Sequence, residues 1–443
     1  MKLPSISGKQ FWIGAVILHL LGFLQAWHTG SIYLVDSIDY LSQATNIKLH
    51  ASLYAAPWDA PIKPDYYSFR PPVYGFLIYV VKLLVQTDYA ILLLQMGISL
   101  STLFGVLLVL NKLNLNAGVS RFLLLLLLVL YPSQIIHCNF VMSDILFQSL
   151  LFWAFYFTWQ LWQEPNYKNS VYAVVFFAIA MLTKPVAFLL GISIALILVG
   201  VFLRKKALRF LLPFLLLPLI YHGYSSYNQR ITGYYHYSSV TPIFVLKYMA
   251  KYTNGQLFGE AYADSVQDVL MAKINAQEVY KNRYELMNAS GKEIIAQHPY
   301  FFAWFNIKAW FAFMLDPGRF EWVHFLNMSE GNYLGLYHVI HTQGLIHGLG
   351  SFVANAPLAL LVILLVCLLF NTLAAFAFLR ALFQKELSGA FRICLFLFVA
   401  YIIASTGVLG LSRYRVAVAP LLWLSLVWFI LSHPWFRKYA PTK

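Results

Sequence analysis

Charge is what this 443-residue sequence has least of. Asp, Glu, Lys and Arg together make up 11% of it, where an ordinary globular chain carries about 25%. Apolar residues account for 60% and aromatic ones for 17%, and the mean hydropathy is +0.67, which excludes a soluble domain. Proline (18) and glycine (24) are too few for a collagen-like or low-complexity chain. Cysteine is scarcer still: Cys138, Cys367 and Cys394 lie apart, in or beside apolar runs. An odd, scattered, apolar-embedded trio reads as core packing rather than a disulfide framework or a zinc site.

What is present is a series of long apolar runs. A spanning helix needs about 20 mostly apolar residues, and segments near 11–28, 89–110, 121–136, 141–161, 170–183, 185–203, 207–226, 355–380, 391–411 and 415–432 meet or approach that. The expectation is an all-α polytopic membrane protein with about 10 transmembrane helices (roughly 10–13). The run ending at Trp27 is followed by aromatics, His28 and acids rather than small residues, so it reads as a retained anchor and not a cleaved signal.

The net charge of +14 records sidedness, not a nucleic-acid partner. Lysine and arginine favour short cytoplasmic loops, and Arg204, Lys205, Lys206 and Arg209 fill one such loop. Counting spans outward from it gathers Lys2, Lys9, Lys112, Arg121, Lys168, Arg380, Lys385, Arg392, Arg437, Lys438 and Lys443 on the same side. Of the 17 acids, only Glu164 and Glu386 join them. Both termini are thus expected in the cytoplasm of a multi-pass protein of the inner (plasma) membrane. Parity makes the apolar stretch 71–84 an interfacial helix.

The chain then divides into a transmembrane catalytic module, 1–226, with a first outer loop at 29–88; an outer loop or cap, 227–352, with an interfacial segment at 300–315; and C-terminal transmembrane helices, 353–443. The polar stretch 264–296 reads as a helical cap, with Val269, Leu270, Ile274, Val279 and Leu286 as its apolar points.

Ionisable groups are nearly absent from span interiors, which argues against a midplane ion pathway. They collect at outer helix ends instead. Asp36 and Asp39, with Tyr40, stand at i, i+3 and i+4, so a helix puts both carboxylates on one face. Such a pair can take a proton from a hydroxyl or amine, or hold a divalent cation. A plain helix start explains it equally well.

Arg70-Pro71-Pro72-Val73-Tyr74 offers a guanidinium suited to phosphate oxygens, or an arginine snorkelling to headgroups. Asp144 opens an apolar helix, a costly place for an acid without a partner. Lys184, and Arg413-Tyr414-Arg415, sit at short outer turns where the positive-inside rule would not put them, so each needs an anionic partner. Cations beside carboxylates at the lipid boundary suit a phosphate-linked lipid substrate.

At these residues the chain resembles the integral membrane glycosyltransferases of the GT-C fold. It is most similar to their bacterial branch around dolichyl-phosphate-mannose protein mannosyltransferases and the lipid A aminoarabinose transferase. The family pattern D-[DE]-x-x-Y appears as Asp36-Ser37-Ile38-Asp39-Tyr40, and R-P-P-x-Y as Arg70 to Tyr74. A proline and an acid before the fourth span appear as Pro132 and Asp144, a basic-Pro turn as Lys184-Pro185, and R-Y-R-x-x-x-x-P as Arg413-Tyr414-Arg415 with Pro420.

The resemblance implies a glycosyltransferase that moves a sugar from a polyprenyl-phosphate donor to a lipid, glycan or protein acceptor on the outer (periplasmic) face. Asp36 would be the catalytic base, supported by Asp39; Arg70, Lys184, Arg413 and Arg415 would bind the donor phosphate, and Tyr40, Tyr74, Asp144 and Tyr414 would support them. Where the family has a second acid this chain has Ser37. No metal is therefore expected to be required, although a divalent cation is compatible with the acids.

A polymerase or ligase of lipid-linked oligosaccharides is the nearer alternative reading. A flippase would predict an internal repeat and broken helices meeting at midplane, and no clear repeat is present. His338, His341 and His347 raise a metal hydrolase, but their spacing fits no compact zinc signature.

Overall fold

The computed structural model describes residues 3–328 and 356–434, with a few single positions between. Among the described residues every regular element is helical. In chain order these are α1 (Gly8–Thr29), α2 (Ser37–His50), α3 (Tyr66–Phe69), α4 (Pro72–Leu84), α5 (Tyr89–Lys112), α6 (Ala117–Leu130) and α7 (Ser133–Cys138). There follow α8 (Asp144–Gln163), α9 (Tyr167–Met181), α10 (Leu190–Lys205), α11 (Leu216–Thr232), α12 (Val240–Ile243), α13 (Lys251–Phe258), α14 (Glu260–Asn275) and α15 (Tyr280–Gln297). The last are α16 (Pro299–Leu315), α17 (Arg319–Phe325), α18 (Leu358–Phe383), α19 (Gly389–Thr406), α20 (Ser412–Arg415) and α21 (Ala419–Ser432), with short 3-10 and π turns between.

The protein is an all-α polytopic membrane protein. Among the described residues seven helices are long and apolar enough to cross a bilayer: Gly8–Thr29, Tyr89–Lys112, Pro185–Lys205, Leu208–Thr232, Leu358–Phe383, Gly389–Leu409 and Ser412–Ser432. The other three expected spans are also helical but differ for identifiable reasons. The segment expected at 121–136 stops at Leu130 because Tyr131 precedes Pro132, and the residue before a proline is pushed out of helical geometry. The chain restarts as the short α7. The helix α9 stops at Met181 for the same reason, ahead of an extended Lys184 and Pro185.

The third, α8, is buried almost from end to end and packs against α5, α9 and α19. Phe155 meets Phe391 and Phe398 edge-on at 5.8 and 5.7 Å, and Trp159 meets Phe391 at 5.2 Å. In lipid such close packing, rather than exclusion of water, holds helices together.

The stretch 71–84 forms the 13-residue α4, about 20 Å long at 1.5 Å per residue and too short to span. The polar stretch 264–296 is two helices rather than one, α14 and α15, broken at 276–279. Ile274 and Met287 join Leu246 and Ala250 in a small core with Leu270 and Leu286 at its edge, whereas Val269 and Val279 are exposed. Lys2, His338, His341, Arg437, Lys438 and Lys443 lie outside the described residues; His347 is exposed.

Candidate active site

Proline and helix-start chemistry converge at one end of the bundle. Asp36 is the residue before α2, and its side chain makes no capping bond, so the carboxylate is free for other partners. Arg70 is extended ahead of Pro71, and Pro72 opens α4, where its missing N–H costs nothing. Asp144 opens α8, where an acid favours the helix dipole. Lys184 sits in the Pro185 break after α9, and Arg413 in α20.

These five segments meet in one ion network. Asp36 Oδ1 lies 2.8 Å from Arg70 Nη2, and its Oδ2 accepts from Arg413 Nη2 at 2.6 Å. Asp39 Oδ2 accepts from the same Arg70 through Nη2 (2.8 Å) and Nε (3.0 Å). Asp144 Oδ1 accepts from Lys184 Nζ at 2.7 Å, and its Oδ2 lies 3.5 Å from Arg413 Nε. Three acids and three bases thus form a closed, neutral set. Asp144 is only 3% exposed, a burial that a carboxylate tolerates only with such partners.

The two acids of α2 are not equivalent. Burial pushes the Asp36 carboxyl up, but Arg413 and Arg70 together outweigh it, so Asp36 lies below the ordinary carboxylate range. For Asp39 burial outweighs Arg70 and leaves it above that range. The Arg70 guanidinium also stacks over the rings of Phe69 (4.6 Å) and Tyr40 (5.1 Å). Tyr40 shares a hydrogen bond with Ser143 at 2.8 Å and meets Tyr74 edge-on at 4.8 Å. Tyr74 in turn donates to Gln95.

Arg415 stands elsewhere. It is buried, and its guanidinium donates to the Phe313 and Asp316 carbonyls, both at 2.7 Å, and to the Tyr131 hydroxyl. The anionic partner expected for it is replaced by helix-end carbonyls, and no ion pair joins it to the network. Residues two apart on a helix point to nearly opposite sides, so Arg413 and Arg415 cannot both face Asp36. Tyr414 packs against the main apolar core.

Ser37 is fully buried, accepts the Leu34 N–H at 2.9 Å and contacts Met142 sulfur at 3.6 Å. A carboxylate there would be buried against a thioether. Both Asp36 oxygens already face guanidinium nitrogens, and among the described residues no three His, Cys, Asp or Glu side chains gather as a metal site.

Several supporting residues carry no motif. Gln43 donates to the carbonyls of Arg70 (2.9 Å) and Leu53 (3.0 Å). Gln95 donates to the carbonyls of Cys138 and Phe140, both at 2.8 Å. Gln134 and Gln148 exchange bonds at 2.7 Å, and Gln148 also holds the Val416 carbonyl at 2.6 Å. The signal for Gln95, Gln134 and Gln148 in the sequence is amides inside apolar runs, which must find partners in the bundle; Gln43, in the polar α2, carries none. Ser68, two residues before Arg70, bonds His236 at 2.7 Å and the Ser239 N–H at 3.1 Å, tying the segment between α1 and α4 to the one that follows α11.

The fold and site together define a polytopic helical membrane protein with a buried, charge-balanced cluster where its helices end. No family model matches the sequence, and no curated protein matches it. Among solved structures the chain resembles ArnT from Cupriavidus metallidurans bound to undecaprenyl phosphate, at 12% identity and a TM-score of 0.39. It resembles the apo state of that protein at 13% identity and a TM-score of 0.36; each comparison covers 95% of this chain and 78% of the other.

Proposed function

We propose that this protein is a glycosyltransferase that moves a sugar from a polyprenyl-phosphate donor to an acceptor at the outer face of the membrane. One observation carries the reading: Asp36 is clasped between Arg70 and Arg413, brought from distant parts of the chain. Neither Nη1 group of these arginines carries a hydrogen bond among the described residues, and Lys184 uses one of its three N–H groups on Asp144. The unused donors can hold a phosphate without breaking the network.

In the step, an acceptor hydroxyl or amine attacks the anomeric carbon and its proton passes to Asp36. The bond from that carbon to the phosphate oxygen breaks, and its electron pair leaves with the polyprenyl phosphate. The arginines and Lys184 stabilise the charge developing on that oxygen. A phosphate that draws on Arg70 and Arg413 weakens their hold on Asp36 and so raises its basicity when the base is needed. Asp39 keeps Arg70 oriented, and Asp144 does the same for Lys184 and Arg413. The acceptor is a lipid, glycan or protein, and the reaction needs no metal.

The test is release of polyprenyl phosphate from a radiolabelled sugar-phosphate-prenol by the purified protein in lipid nanodiscs, with cell-envelope extract as acceptor and EDTA in a parallel arm. Asp36→Asn should lower release by about 10²- to 10⁴-fold with the unfolding midpoint kept, and EDTA should change nothing. Loss of release with EDTA would overturn metal independence. Binding of the labelled lipid without release would point instead to a flippase, or to a polymerase of longer lipid-linked glycans, and movement of the lipid across the bilayer of sealed proteoliposomes would separate the two.

A further inference from the structure

The turn that carries Arg413 is gripped from the segment joining α16 to α17 and from α17 itself. Asp316 Oδ2 accepts the Ser412 N–H at 2.7 Å, while its Oδ1 accepts the Gly318 N–H at 3.0 Å. Glu321 Oε1 accepts from the Ser412 hydroxyl at 2.6 Å. On the far side of the turn, Arg415 supplies the end carbonyls of α16, which have no partner within their own helix, and a cation there also favours the helix dipole. Gly410 closes the grip: its φ is +37°, and a Cβ would strike the Ala309 carbonyl.

Between these anchors, Arg413 is the charged side chain that reaches out of the turn, to Asp36 at 2.6 Å. Glu321 is 5% exposed and its Oε2 has no hydrogen-bond partner. Burial and the nearby Asp316 hold its carboxyl above the usual range, against the bond from Ser412. A buried acid is a costly way to hold one serine, so packing alone does not account for it.

We propose that Asp316 and Glu321 are positioning residues that set Arg413 for the donor phosphate, acting through Ser412. The proposal rests on the reading of Arg413 as a phosphate ligand. A displacement of about 1 Å in such a group costs about 10²-fold in rate. Arg70, Asp39, Asp144 and Lys184 are the other charged groups around Asp36, with the Tyr40 and Tyr414 hydroxyls as its neutral titratable neighbours; none of the four charged groups bonds Asp316, Ser412 or Glu321, and Asp144 touches the gripped arginine at 3.5 Å.

The experiment uses the full chain in nanodiscs. Glu321→Ala and Asp316→Ala should lower kcat/KM for the donor by roughly 10- to 100-fold. They should also move the acid limb of the pH–rate profile upward, because Arg413 is what depresses Asp36 most strongly. Glu321→Gln, whose amide oxygen can still accept from Ser412, should restore most of the activity.

A second readout needs no turnover: the Asp36→Asn and Arg413→Gln double-mutant cycle on the unfolding midpoint, run in the wild-type and Glu321→Ala backgrounds. Coupling that shrinks in the second background supports the grip. An unmoved acid limb together with unchanged coupling would overturn it and leave a merely structural contact. If the wild type releases no polyprenyl phosphate, the functional reading falls, and the cycle still decides the grip.

Discussion

Asp144 shows what the site demands of single residues. It sits almost out of solvent, paired with Lys184 at 2.7 Å and supported by Arg413 at 3.5 Å. Removing one partner of a buried pair costs about 3–5 kcal/mol, mostly for the charge left behind, whereas replacing both by apolar groups is often neutral. Lys184→Met should therefore lower the unfolding midpoint sharply, with Arg413 keeping the loss near the lower figure. Lys184→Met combined with Asp144→Leu should recover the midpoint but not sugar transfer, as thermal unfolding beside the nanodisc assay would show. A double variant as unstable as the single would mean the pair's role is packing.

These residues were readable because each breaks a rule of membrane sequences: an acid opening an apolar helix, or a base at an outer turn. Arg415 breaks the same rule for a different reason, since it caps a helix. The angle between it and Arg413 was the available clue. Asp316 and Glu321 were not readable, because they follow an aromatic segment read as interfacial, where an acid at its polar edge breaks no rule and no motif marks it.

Among elements, the crossing of α2 over α4 sets Arg70. Gly75 leaves the room in which the Gln43 side chain lies, and a Cβ at that position would strike the Gln43 amide oxygen. Gln43 in turn fixes the Arg70 and Leu53 carbonyls. Gly75→Val should push Gln43 off both, and Gln43→Leu should lose the same two bonds, at about 0.5–1.5 kcal/mol each. Both variants should raise the donor KM more than they lower kcat, since they misplace a phosphate ligand and leave Asp36 in place. A fall in kcat alone would assign the crossing to the base instead.

At this level the sequence announced helices and their faces, including the α4 segment and the shared face of Asp36 and Asp39. It did not announce where helices stop inside a long run. Pro132 and Pro185 were visible, but the apolar stretches continue past them, and hydropathy does not register a break that buried glutamines repair.

At the scale of the whole molecule, the cluster lies at one end of the bundle and the densest basic loop at the other. Asp36, Asp144, Lys184 and Arg413 share one end, while the Arg204, Lys205, Lys206 and Arg209 loop follows α10 at the other. With that basic loop in the cytoplasm, as the positive-inside rule would have it, the cluster would face out, where the proposed lipid-linked sugar would meet an aqueous acceptor. The cysteines make this measurable, because Cys138, Cys367 and Cys394 are all buried, and the unmodified chain should be silent to a membrane-impermeant maleimide. Asp59 in the first outer loop and Lys206 in the basic loop are both exposed. In spheroplasts, Asp59→Cys should label at once and Lys206→Cys only after permeabilisation. The reverse pattern would turn the site inward, where a donor made from cytoplasmic nucleotide sugars would need no lipid carrier, and the polyprenyl-phosphate reading would fall with it.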